Sequence, residues 1–132
     1  MCGGACVSLS SKAQRCVTMS TSESGCVGMG DGVKEALVVQ GVLYFMHPHR
    51  PPKAIEVRED NQGATKLANN PLSSARSRHI DDVRYHFLRE LVNHKRLIVR
   101  HVESKEQHAD ALTKLLEIGL FMKHRNFLLN CD

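Results

Sequence analysis

No apolar run in this chain approaches the roughly 20 residues that a bilayer-spanning helix needs, so a transmembrane segment is not expected. A leader is lacking as well: Met1-Cys2-Gly3-Gly4-Ala5-Cys6 has neither a basic n-region nor an apolar h-region, and no secretion signal is expected. An even, regularly spaced set of cysteines is also missing. The count is five, and Cys2, Cys6, Cys16 and Cys26 crowd the first fifth of the chain, which makes a poor disulfide framework. Reduced thiols in the cytoplasm or nucleus are the expectation. There is no internal repeat and no long low-complexity tract, which excludes collagen-like and fully disordered chains. Cys2-x₃-Cys6 and His47-x-His49 give zinc-like pairs only at separations that do not suggest one site.

What is present is an ordinary globular composition. The 132 residues are 42% hydrophobic and 24% charged, enough for about one domain with its own core. A chain of this size buries roughly two-thirds of its unfolded surface. Eighteen Lys and Arg against fourteen Asp and Glu leave +4, and the excess is local. Arg76, Arg78, Arg84, Arg89, Lys95, Arg96 and Arg100 face only Asp81, Asp82 and Glu90 between positions 76 and 100, so this stretch nets +4 and the rest nets zero. A basic face of this kind suits a polyanion such as nucleic acid. A solvated helix face that happens to be basic is the plainer alternative.

Residue patterns predict the order β-β-α-β-α-α-β-α-α. Ala5–Leu9 and Cys16–Met19 read as two short strands around a polar turn. Glu23–Met46 reads as a buried helix whose first half is weakened by Gly25, Gly28, Gly30 and Gly32, each by about 0.8–1 kcal/mol relative to Ala. His47-Pro48-His49-Arg50-Pro51-Pro52 breaks it. Residues 54–59 alternate like a strand, Asp60-Asn61 opens a short helix through Ala68, and Asn69-Asn70-Pro71 ends it. Ile80, Val83, Phe87, Leu88 and Leu91 define the stripe of an amphipathic helix over 78–95. Leu97–Val102 is a further strand. Ser104-Lys105-Glu106-Gln107 is a capping box predicting a helix through Leu116, and a last short helix over Leu120–Leu129 forms a C-terminal tail, residues 120–132. The order argues for a mixed α/β sheet covered by helices.

In open α/β sheets, sites form at the carboxyl ends of strands. Asp60 follows one predicted strand, Asp110 lies in the helix after another, and Glu23 starts the long helix. Three converging carboxylates repel unless a divalent cation lies between them. Two hard cations about 3.5–4 Å apart could activate water for phosphodiester cleavage. The plainer readings are Asp60 as a helix N-cap and Asp110 as a solvated helix residue.

Four blocks of sequence then carry a resemblance. Val17-Thr18-Met19-Ser20-Thr21-Ser22-Glu23 resembles V-A-L-S-S-T-E of the ribonuclease H domain in copia-type retrotransposon polyproteins. Asp60-Asn61-Gln62-Gly63-Ala64 is similar to its D-N-Q-x-A. The stretch from Asn70-Pro71 through Arg76-Ser77-Arg78-His79-Ile80-Asp81 to Arg84-Tyr85-His86-Phe87-Leu88-Arg89-Glu90 is similar to its N-P…R-S-K-H-I-D-x-R-Y-H-F-x-R-E. Gln107-His108-Ala109-Asp110-Ala111-Leu112-Thr113-Lys114 is similar to Q-x-A-D-x-L-T-K. The blocks occur in the family's order over nearly the whole chain.

The resemblance implies a ribonuclease H-like mixed sheet flanked by helices in a single domain over residues 1–132. It also implies Mg²⁺ or Mn²⁺ held by Glu23, Asp60 and Asp110 for cleavage of RNA in RNA–DNA hybrids, with a reverse transcriptase domain as neighbour in a longer polyprotein. Arg76, Arg78, Arg84, Arg89, Lys95 and Arg96 are the candidates for contacting nucleic acid. The departures matter equally. The family's first strand carries another metal-binding Asp, in a D-A-D-W-like block, and this chain starts at Gly3-Gly4 without it. Gly25 replaces the family's second Glu, Cys26 its Tyr, Leu9 a usual Trp and Leu115 a usual Pro, while Asp81-Asp82 adds one residue. A partial domain, weak or inactive in cleavage, is therefore expected. The alternative is a non-catalytic remnant that binds nucleic acid through its basic helix.

Overall fold

The structure, a computed structural model, describes residue 4 and residues 6–13, 20–69 and 82–131, apart from the side chains of Asp82 and Arg84. The chain divides into two compact units, residues 16–101 and residues 1–15 with 102–132.

The larger unit is built on two parallel strands. Helix α1 spans Thr21–Met46 and starts where Ser20, in extended backbone, accepts the Glu23 amide on its Oγ at 3.2 Å. Strand β1 (Ile55–Glu59) and helix α2 (Gln62–Asn69) follow, then helix α3 (Asp82–Asn93) and strand β2 (Leu97–His101). The strands run in register from Ile55 opposite Leu97 to Glu59 opposite His101. A parallel pair cannot be closed by a tight turn, which is why a long crossover holding α2 and α3 separates the two strands. Along β2 the buried Leu97 and Val99 alternate with exposed Ile98 and Arg100, as a pleated strand with one face on a core requires.

That core gathers Cys26, Met29 and Val33 of α1, Ala64 and Ala68 of α2, Tyr85, Leu88 and Leu91 of α3, and Leu97 and Val99. Small residues set the spacing where α1 meets α2. A Cβ on Gly25 would lie 2.9 Å from that of Ala64, and one on Gly63 would collide with the Ser22 hydroxyl and come within 3.0 Å of its Cβ. The helices approach this closely only because both positions lack a side chain.

Several expectations are corrected. Residues 6–13 form no regular structure, so the first predicted strand is absent over 6–9; Val7 and Leu9 stay more than half exposed, and a short strand without an apolar surface to cover is not stable alone. The second predicted strand, Cys16–Met19, lies outside the described residues. Among the described residues the sheet has two strands. Helix α1 is not buried along its length: Cys26, Val27, Met29, Gly30 and Val33 are covered, whereas Val38, Val42, Phe45 and Met46 are exposed. On α3, Val83 is 77% exposed and Tyr85 is buried instead. Leu88, Leu91 and Tyr85 form the inward stripe with half-buried Phe87 packed at its edge, and Val83, one turn before Phe87, falls outside it. Ile80 lies outside the described residues.

In the smaller unit the predicted helix from Ser104 to Leu116 is replaced by two 3₁₀ turns, Ser104–Glu106 and His108–Leu112. Gln107 between them is extended (φ −80°, ψ 96°), and no side chain caps either turn. Helix α4, Ile118–Leu129, supplies the reason. The His108 ring stacks flat on Phe127 at 3.6 Å and sets its Nδ1 2.9 Å from that of the fully buried His124. These contacts hold His108 where a continuous α-helix would not place it. The expected tail helix is thus present and starts two residues earlier.

The glycines of α1 and α2 are expected to separate sharply on substitution. Gly63→Ala should destabilise by about 1–3 kcal/mol through overpacking against Ser22. Gly28→Ala and Gly32→Ala meet open space and should each stabilise by about 0.8–1 kcal/mol. Urea unfolding midpoints compared at constant m-value check both signs.

Candidate functional site

Asp60 stands in the bend between β1 and α2, at the carboxyl end of the strand, and is half-buried. It does not cap α2. Asn61 does so, its Oδ1 accepting the Ala64 amide at 3.0 Å. The cap reading of Asp60 is therefore displaced by its neighbour. Glu23 sits in the first turn of α1, also half-buried.

The two acids come from elements that are joined beside them. Ser22, which precedes Glu23, donates from its Oγ to Asn61 Oδ1, which follows Asp60, at 3.4 Å. One turn along α1, Gly25 faces the Glu59 carboxylate, whose Oε1 lies 3.2 Å from where a Cβ would stand. Glu59 also accepts the Asn61 amide at 3.2 Å. Glu59 was missed by the motif reading. It shares the half-buried face of β1 with Ile55 and Val57, and an acid in the apolar phase of an alternating strand is the signal that could have found it.

Asp110 belongs to the other unit and is described within it. It is 8% exposed and lies in the second 3₁₀ turn, so it is not the solvated helix residue of the plainer reading. Its Oδ2 accepts Lys114 Nζ at 2.8 Å. Nearby in the chain, Glu106 pairs with Lys123 of α4. The hydrogen bond and charge of Lys123 hold the Glu106 carboxyl below the usual range, with smaller help from His108 and His124.

The donor set of Glu23, Asp60 and Asp110 is all oxygen, which suits a hard divalent cation. Among the described residues no three His, Cys, Asp or Glu side chains gather as a metal-holding group, and the Asp110 carboxylate already carries an ammonium at bonding distance.

Of the nucleic-acid candidates, Arg76 and Arg78 lie outside the described residues, as does the side chain of Arg84. Arg89 is half-buried and donates from Nε to the Leu67 carbonyl at 3.5 Å, which ties it to α2. Lys95 and Arg96 are exposed, but they stand in the turn after α3 and not on the helix.

Comparison with known proteins finds relatives that include three transposon Pol polyproteins. The retrovirus-related Pol polyprotein from transposon TNT 1-94 of Nicotiana tabacum is 36% identical over 118 residues, 89% of this chain and 9% of that protein. Those from transposons RE1 and RE2 of Arabidopsis thaliana are 36% and 34% identical over 117 and 115 residues, covering 87% and 83% of this chain. The chain spans less than a tenth of the length of these curated relatives. No family model matches it, and no solved structure does.

Because Glu106 is held below its ordinary pKa in the folded chain, its contribution is complete above the unfolded carboxylate value, about 4.3, and is lost as pH falls through the folded one. Stability should therefore drop in that acid window. The drop should shrink in Lys123→Met, read as unfolding midpoints on either side of the carboxylate range.

Proposed function

We propose, from homology to transposon Pol polyproteins over 83–89% of the chain, that this is a ribonuclease H-lineage segment of a copia-type retrotransposon polyprotein. Its ancestral work is metal-dependent cleavage of RNA in an RNA–DNA hybrid, and this chain performs it weakly or not at all. The observation that carries the lineage reading, beside the relatives, is the placement of Asp60. It sits at the carboxyl end of a parallel strand, with Ser22 and Asn61 joining that end to the turn of α1 bearing Glu23. This is where an α/β sheet places its chemistry.

In this reading Mg²⁺ or Mn²⁺ would be held by Glu23, Asp60 and Asp110. When bound, the metal would supply Lewis-acid stabilisation and an activated water. What this chain's own residues do is less favourable. Lys114 neutralises Asp110 and must be displaced before that carboxylate could take a cation. Gly25, where the family carries a second Glu, offers no additional carboxylate, and the room it leaves faces Glu59. The weight of these features favours a remnant over a working nuclease.

The test is a cleavage assay on an RNA–DNA hybrid with Mg²⁺ and with Mn²⁺. Hydrolysis should be very slow or undetectable. Turnover within the common enzymatic range, about 1–10³ s⁻¹, would overturn the inactivity, and its loss in Asp60→Asn would then locate the site.

A further inference from the structure

Parallel strands are entered at the same end, so the segments leading into β1 and β2 are neighbours. Ile55 opposes Leu97, and its amide donates to the Arg96 carbonyl at 2.9 Å. The first segment carries His47, His49, Arg50 and Lys53, and the second is His94-Lys95-Arg96; all seven side chains are exposed. No acid occurs between Glu35 and Glu56, nor between Glu90 and Glu103. Among the described residues none of Arg50, Lys53, Lys95 and Arg96 is in an ion pair. The contrast lies a few residues along the same strands, where Arg58 and Arg100 share Glu56 at 3.3 and 3.6 Å.

Both basic segments are held in place. Pro48, Pro51 and Pro52 restrict the first. Lys53 is pinned to α1 through its backbone, its carbonyl accepting Gln40 Nε2 at 2.8 Å and its amide donating to the Tyr44 hydroxyl at 2.9 Å. The second closes α3 with a Schellman motif, Arg96 N–H to Leu91 O at 2.9 Å and Lys95 N–H to Val92 O at 3.0 Å. Lys95 occupies its left-handed position (φ 56°), where glycine is the usual residue. On the last turn of α1, just before the first segment, Phe45 is 89% exposed.

We propose that this amino end of the sheet binds single-stranded nucleic acid, with Arg50, Lys53, Lys95 and Arg96 along the phosphates and Phe45 against an unpaired base. Cations without ion-pair partners, carried on held backbone, suit a phosphate backbone, and every base offers a π-face to an exposed ring. A duplex has no unstacked base to offer, so Phe45 is what selects the single strand. The inference goes beyond hybrid cleavage, which concerns the acids at the strands' other end.

The experiment titrates the full chain with a fluorescent oligothymidylate, in chelator and without RNA, at several salt concentrations. The absence of hybrid cleavage therefore has no bearing on the outcome. Affinity should fall with salt by a log–log slope near −0.7 per phosphate neutralised, and Arg50→Gln with Lys53→Gln should flatten that slope by about 1.4. Phe45→Ala should weaken binding about fivefold or more with the slope unchanged. Lys95→Gly removes a charge while relieving the left-handed backbone. It should melt at a higher temperature and yet bind more weakly, a combination that loss of fold cannot produce. Unchanged slope and affinity in the double variant would overturn the proposal. So would duplex bound as tightly as single strand with Phe45→Ala silent, or phosphatidylserine vesicles bound while the oligonucleotide is not.

Discussion

A parallel pair of strands has a polarity that an antiparallel pair lacks. Both β1 and β2 begin at one end and finish at the other, so everything entering the pair is gathered on one side and everything leaving it on the opposite side. The sequence uses this division by charge. Glu59 and Asp60 leave β1 beside the turn of α1 that bears Glu23, while Arg50, Lys53, Lys95 and Arg96 all precede a strand. Neither group needs a salt bridge to the other to be positioned. The ladder places both.

The acidic end depends in turn on how closely α1 and α2 can approach. The contact of Ser22 with Gly63, and of Gly25 with Ala64, permits the Ser22–Asn61 hydrogen bond. The same closeness has a chemical consequence. A side chain at position 25 would bring its Cβ to 3.2 Å from Glu59 Oε1, so a second glutamate there would add a charge and also require the Glu59 carboxylate to give by a few tenths of an ångström. The departure from the family motif at Gly25 is thus more than a lost carboxylate. It is coupled to a retained one.

Much of the larger unit was legible because its signals are local and strong. The helix read over Glu23–Met46 falls within two residues of α1, alternation marked β1, and the run from Leu97 marked β2. The failures have physical causes that lie outside any window of sequence. On α3 the stripe through Phe87, Leu88 and Leu91 packs as expected, but Val83 is left exposed and Tyr85 takes the inward place, because the packing partners decide where the edge of the stripe falls. The capping box at Ser104 was sound as local chemistry, but stacking of His108 on Phe127 and its contact with buried His124 outweigh a cap, typically about 1 kcal/mol. Asp60 and Glu23 were found as motif residues. Glu59 was not, because its role depends on the proximity of a helix far away in sequence. The basic residues were grouped along the chain, as Arg76 to Arg96, whereas the fold regroups Lys95 and Arg96 with Arg50 and Lys53.

Lys95 shows why that regrouping matters for function. A lysine in left-handed backbone costs stability relative to glycine, by about 1 kcal/mol, because its Cβ crowds the following carbonyl. A turn that served only to end α3 and start β2 would lose nothing by carrying glycine. The exposed lysine contributes no core contact and no ion pair among the described residues to offset the strain. Proximity of its charge to the carboxyl end of α3 recovers about 0.3–1 kcal/mol of it at an exposed site. The turn thereby carries a cation on a fixed backbone next to the segment that bears Arg50 and Lys53, the placement on which the proposed phosphate binding rests.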